Sequence, residues 1–113
     1  MHELSLCEGI VDIIQNEAQT QGFDRVKSVW LEIGQLAAVD EQAMRFSYDV
    51  VVKNTIAEAS ILHIEILPGL AWCLSCAKSV SVTARFDACP DCGNYQIQVT
   101  QGDEMRIKEL EVV

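Results

Sequence analysis

The chain has 113 residues, half of them hydrophobic, with 17 Asp and Glu against eight Lys and Arg and a net charge of -9. That size suits one compact domain, or a small domain carrying a smaller module, while the charge excludes a free nucleic acid as partner, because such affinity rests on Lys and Arg displacing counterions. No stretch approaches the roughly 20 apolar residues of a membrane span and no basic region leads into an apolar run at the start, so a cytoplasmic protein that meets metal cations or basic protein surfaces is expected.

Residues 4–20 predict a helix, with Leu4, Cys7, Val11, Ile14 and Ala18 recurring at spacings of three and four beside Ile10. Gly22 is placed to stop it in a left-handed conformation. "RVKSVWLEI" at 25–33 alternates as a strand, Val29, Leu31 and Ile33 on one face and Ser28, Trp30 and Glu32 on the other, with Gly34 at its end. A second helix is predicted from about 41 to 53, capped by Asp40 and stapled by Val39 against Met44. Its apolar side reads as Ala43, Ser47, Val50 and Val51, with Phe46 adjoining. "ASILHIEILPG" predicts a strand with Leu62, Ile64 and Ile66 facing one way, ended by Pro68 and Gly69. The cysteine-rich stretch 71–95 follows, with "SVSVTARF" as its hydrophobic run. Strand patterning returns in "YQIQV", and a turn at "TQGDE" leads to the strand "MRIKELEVV". There the apolar parity changes between Ile107 and Leu110, and a bulge near Lys108–Glu109 would repair it. The fold class expected is α/β: two helices packed on a small sheet of about three strands, with an inserted four-cysteine zinc-ribbon module.

Cys73, Cys76, Cys89 and Cys92 form C-x2-C, twelve residues, C-x2-C. Two residues between cysteines let both thiolates of a tight turn reach one ion, and the second pair completes a tetrahedron. This is a zinc pattern. Two disulfides, which a reducing compartment disfavours, and a rubredoxin-type iron site are the alternatives. All four corners belong to protein, so the metal has no open position and its role is structural. Ala77 and Gly93 after the pairs are small, as close backbone packing would want. "HIE" at 63–65 before "CPDC" partly matches a zinc-deaminase signature. It fails because Ala88 precedes Cys89, because His63 and Glu65 sit on an alternating strand, and because Cys73 and Cys76 already complete the set. His63 reads as an ordinary strand residue and Cys7 as a small core residue.

His2 is one of two histidines and directly follows Met1. Histidine is too large for the initiator methionine to be removed, so the Met1 amine, the His2 amide and the His2 imidazole can close fused chelate rings on one ion. Nitrogen-rich donor sets suit Ni(II) and Cu(II). Glu3 adds an oxygen donor or a supporting partner, and its charge suits the start of a helix. A solvated terminus is the plain alternative.

"MHELSLC", "VWLEIGQL", the four-cysteine module and "QGDEMRIKELEV" occur in order along essentially the whole chain, which resembles the HypA/HybF family, in its HybF-like branch. The resemblance implies a nickel metallochaperone for [NiFe]-hydrogenase maturation and not an enzyme. It implies nickel held by the Met1 amine, His2 and Glu3, with Asp40 approaching the same site, and zinc held by Cys73, Cys76, Cys89 and Cys92. The implied partners are a HypB-type GTPase and the hydrogenase large-subunit precursor. Residues 1–70 plus 96–113 then form the nickel-binding α/β domain and 71–95 the zinc-binding insertion. An insertion tied to a sheet by two strands can exchange between protomers, so a domain-swapped homodimer is an allowed state. The competing class is a zinc-ribbon interaction scaffold without nickel delivery.

Overall fold

A computed structural model describes residues 2–113. In chain order the elements are α1 (His2–Gln21), β1 (Val26–Gly34), a 3-10 turn (Gln35–Ala37), α2 (Glu41–Val51), β2 (Ile61–Leu67), β3 (Leu70–Cys73), β4 (Lys78–Ser81), β5 (Ile97–Gln101) and β6 (Met105–Val112). They make two helices and two three-stranded sheets, ordered β2-β1-β6 and β4-β3-β5. The two-helix α/β class with a four-cysteine module is thus the architecture observed.

Two compact units form. The first joins the chain up to Leu31 with Val39–Ile64 and Ile107–Val113; the second joins Glu32–Ala38 to Glu65–Arg106. The cysteine-bearing unit is therefore larger than the stretch 71–95. The strand expected after the cysteines does not join the main sheet: Ile97–Gln101 pairs antiparallel with β3, a strand absent from the sequence expectation. Residues 96–106, grouped by sequence with the α/β domain, belong to the unit that carries the cysteines. The run "SVSVTARF" contributes only β4, with Val80 and Val82 turned inward.

In the first unit, α1 buries Cys7, Ile10, Val11 and Ile14, the stripe that spacings of three and four predict. Each such aliphatic side chain contributes about 1.5–3 kcal/mol on burial. Leu4, expected on that stripe, is exposed, as is Ile13. Gly22 takes φ +79° and its N–H donates to Ala18 O at 2.9 Å, closing the helix as expected. Asp40 caps α2, its Oδ1 accepting from Ala43 N at 3.0 Å.

The buried side of α2 differs from the expectation. Met44, Tyr48 and Val52 are buried, at a spacing of four, while Val50 is exposed and Phe46 is 72% exposed. Tyr48 can lie in the core because its hydroxyl meets Ser60 Oγ at 2.6 Å. Cys7 is wholly buried beside Met44, its thiol donating to Met44 O at 3.5 Å. Burial pushes that thiol up to about 11.

Strand β1 is the middle of its sheet, and Val29, Leu31 and Ile33 are buried as expected. Its other face is not simply wet: Ser28 and Glu32 are buried too. The Glu32 carboxylate accepts from Arg106 Nε at 2.5 Å, which makes a buried anion tolerable. His63 is an exposed strand residue, its ring stacked on Trp30 with centroids 4.6 Å apart. Along β2, burial falls from Leu62 through half-buried Ile64 to exposed Ile66. In β6 the half-buried residues are Met105, Ile107 and Leu110, so the parity change lies where the sequence put it.

Candidate metal centre

Two turns of the same form present the four cysteines. In each, an N–H four residues on donates back to the first cysteine's carbonyl: Ala77 N to Cys73 O and Gly93 N to Cys89 O, both at 2.8 Å. The closing residue must be left-handed, and Ala77 has φ 53° and Gly93 φ 74°. Conformation, not close packing, therefore explains Gly93; a Cβ there would meet nothing within 4 Å. The Cys76 N–H also points at Cys73 Sγ, at 3.4 Å.

Strands β3 and β4 carry the first turn and the approach to the second. Ala71, Cys73, Val80, Val82 and Cys89 are buried together with Leu36. The two turns are also tied to each other directly. Lys78 Nζ lies 2.5 Å from Asp91 Oδ2, and Asn94 Nδ2 donates to Ser75 Oγ at 2.8 Å. The Asp91 carboxylate holds the Lys78 ammonium above its ordinary pKa. Sequence reasoning missed these ties; a Lys two places after the first pair and an Asp inside the second were their only signal.

All four Sγ atoms lie within 4.8 Å of one another, with Cys73 and Cys92 at 3.7 Å. A regular tetrahedron with zinc–sulfur bonds of about 2.3 Å requires sulfurs about 3.8 Å apart. The cluster fits a structural zinc. Cys73 and Cys89 are buried, Cys76 is half-buried and Cys92 is exposed. The Cys76 N–H draws the Cys73 thiol down to about 7, whereas its hydrogen bond with Cys92 leads the effects that push Cys76 up to about 12. The sulfurs share protons that a cation displaces, so metal binding releases protons.

The other expected ligands lie at the start of α1 and of α2. The Met1 amine lies outside the described residues. The His2 side chain is 57% exposed, with Nδ1 3.9 Å from Glu3 Oε2. Glu3 Oε2 accepts from the Asp40 backbone N–H at 3.2 Å, across 37 residues of sequence. That N–H leads the effects that hold the Glu3 carboxyl below its ordinary pKa. His2, Glu3 and Asp40 are thus brought together, though the Asp40 carboxylate itself is turned to Ala43 N. Among the described residues, the four cysteines alone bring three or more metal-ligating side-chain atoms within 4.8 Å of one another. No helix among them is long and apolar enough to cross a membrane.

A four-thiolate cluster on a two-helix, two-sheet fold defines a small metal-binding protein. Comparison with known proteins narrows that class. A family model described as "Hydrogenase/urease nickel incorporation, metallochaperone, hypA" matches residues 1–112. A hydrogenase maturation factor HypA from Azotobacter chroococcum is 55% identical over 112 residues, covering 99% of both chains. One from Alkalilimnicola ehrlichii is 56% identical over the same share of each. Among solved structures, the Ni metallochaperone HypA from Helicobacter pylori superposes with a TM-score of 0.74 at 21% identity, over 98% of this chain and 97% of that one. The chain belongs to the HypA family, which is described as one of nickel-incorporation metallochaperones.

Proposed function

We propose that this chain binds Ni(II) at its N-terminus and delivers it to the large-subunit precursor of a [NiFe]-hydrogenase, working with a HypB-type GTPase. The observation that carries the reading is membership of a nickel-incorporation family over the full chain, with relatives named hydrogenase maturation factors. The donors are the Met1 amine, the His2 amide and imidazole, and Glu3, with Asp40 beside them. Helix geometry supports this set. The first four N–H groups of an α-helix have no partner within the helix, and α1 begins at His2. The His2 amide can therefore lose its proton to a metal without breaking a helical hydrogen bond. The resulting negative charge sits at the helix's positive end. An exposed imidazole on that residue completes a nitrogen-rich site suited to Ni(II).

The zinc, by contrast, holds the second unit folded and is not passed on. Nickel calorimetry on tag-free protein, on its N-acetylated form and on His2→Ala tests the proposal. The native form should bind about one nickel beyond zinc. Both altered forms should lose most of that affinity while keeping zinc and fold. Full-affinity binding by the acetylated form would remove the amine from the donor set, and full-affinity binding by His2→Ala would remove the site.

A further inference from the structure

Strand β6 (Met105–Val112) is an edge of the sheet β2-β1-β6, so one of its sides has no strand beside it. The bonds just beyond its ends decide which residues turn outward. Glu104 O accepts from Gly34 N at 2.8 Å, and Val113 N donates to Arg25 O at 3.1 Å, so both residues point at β1. Alternation counted inward from either end turns Ile107 and Leu110 to the open side. Residues three apart do so only because the alternation breaks between them, at Lys108–Glu109.

This edge is its own complement. Laid antiparallel on a copy of itself about the midpoint of Lys108 and Glu109, "RIKELE" at 106–111 sets Ile107 opposite Leu110, Lys108 opposite Glu109 and Arg106 opposite Glu111. Opposed residues of an antiparallel ladder must both turn their N–H and C=O towards the partner, and Ile107 and Leu110 do. Charges on an edge strand ordinarily guard it against pairing. A guard sets like charges opposite each other; this order sets each charge opposite its contrary. The four charges sum to zero in a chain of -9, and those farther off are screened beyond about 8 Å at physiological salt.

The helix side adds apolar area. A groove of about 460 Å³ is lined by Ile13 and Phe23 with Ile107, Leu110 and Val112. Ile13 is 52% exposed and Val112 42%. A two-fold axis perpendicular to the sheet keeps both α1 helices on one face, so the two grooves meet. Eight residues at about 3.4 Å make an edge about 27 Å long, and a sheet carrying one helix layer is about 20 Å deep. Each copy then covers on the order of 500 Å², about 1,000 Å² together, enough for a reversible interface and too little for a permanent one.

We propose that β6 pairs antiparallel with β6 of a second copy, joining two three-stranded sheets into one of six strands in an isologous dimer. No segment is exchanged between the copies, and the pairing does not depend on the nickel reading.

Sedimentation velocity on full-length, zinc-loaded protein should show monomer and dimer in exchange, half-dimeric at roughly 10–100 µM. Lys108→Glu sets carboxylates opposite each other on both sides of the axis, and Glu109→Lys sets ammonium groups there. Each should weaken self-association about tenfold or more. Mixed one to one, the two variants should pair with each other as tightly as wild type, because every carboxylate at 108 and 109 then faces an ammonium. A folding defect cannot produce that rescue. In hydrogen exchange, the Ile107 and Leu110 amides should gain protection as wild-type protein is concentrated. Protein that stays monomeric at about 1 mM, or a mixture that does not pair, overturns the proposal. So does a dimer that both variants form as well as wild type, which would be the exchanged-insertion form. Protection of the β6 amides that needs another protein would give the edge to that partner and overturn the pairing of copies.

Discussion

Replacing Gly34 by Ala should strongly destabilise the cysteine-bearing unit without touching a metal ligand. The Gly34 N–H donates to Glu104 O at 2.8 Å, and the Leu36 N–H to Gly102 O at 2.7 Å. A Cβ on Gly34 would overlap the carbonyl and α-carbon of Gly102. Gly102 has nowhere to go: it sits at φ +95°, and a Cβ of its own would lie 2.8 Å from both Gly69 Cα and Pro68 O. Restoring ordinary contact needs a backbone displacement on the order of 1 Å. That breaks both hydrogen bonds, worth about 1 kcal/mol each, and adds overpacking strain of about 1–3 kcal/mol. The expected loss is about 3–5 kcal/mol, a large share of the roughly 5–15 kcal/mol that holds a small domain together. Urea unfolding followed by zinc release to a colorimetric chelator measures it. Gly93→Ala is the control, because Gly93 has φ +74° with open space around it. It should cost only the left-handed penalty of about 1–2 kcal/mol. A Gly34→Ala midpoint no lower than that of Gly93→Ala would refute the packing argument.

Further outcomes follow from the sulfurs and the caps. Zinc-loaded protein should show no fast-reacting thiol; chelation should expose the four clustered sulfurs, and denaturant the fifth, Cys7, because it is buried and is not one of the four. Cys92→Ala should lose zinc together with hydrogen-exchange protection over residues 71–95, since metal binding is folding energy in such a unit. Burial raises the Cys7 thiol from 9.0 to about 11, so the folded state holds that proton more tightly than the unfolded chain. Its contribution is complete below pH 9 and lost as pH rises toward 11; the urea midpoint should fall across that window, and less so in Cys7→Ala. Asp40→Ala removes the cap on Ala43 and about 1 kcal/mol of thermal stability. It spares the backbone N–H that Glu3 holds, so any fall in nickel affinity beyond that of a mere cap loss would reveal the carboxylate at the metal.

Where the sequence was legible, the cause of the structure was local. The stripe Cys7, Ile10, Val11 and Ile14 lies along one helix, Asp40 caps a residue three places on, and each cysteine turn closes within five residues. The misreadings have non-local causes. Apolar residues surround α2, and which side is buried depends on a Tyr48 hydroxyl partner twelve residues away. The pairing of β5 with β3 joins strands more than twenty residues apart, and no residue of either names its partner. At the candidate nickel site, only the family resemblance linked Asp40 to Glu3. The contact runs through the Asp40 backbone N–H, which no side-chain pattern encodes.

The cysteine cluster and the proposed nickel site ask opposite things of the fold. Releasing zinc from four protein sulfurs, two of them buried and their turns tied by Lys78–Asp91 and Asn94–Ser75, means unmaking the unit around them. Structural zinc sites of this kind are worth about 10–16 kcal/mol in small modules, so exchange there would be slow and destructive. Of the proposed nickel donors, His2 and Glu3 are the first two residues of α1, with the His2 side chain 57% exposed. Losing nickel there breaks no core contact and no helical hydrogen bond, because the first N–H groups of a helix have no helical partner to lose. A carrier needs that asymmetry, in which one ion keeps the protein folded and the other leaves without unfolding it. The prediction is kinetic. A chelator of stated affinity for both metals should strip nickel in a single fast phase, with circular dichroism unchanged. Zinc should leave in a slower phase that tracks loss of structure. Release of the two metals at one rate would show that the terminus is locked into the fold and is no exchange site.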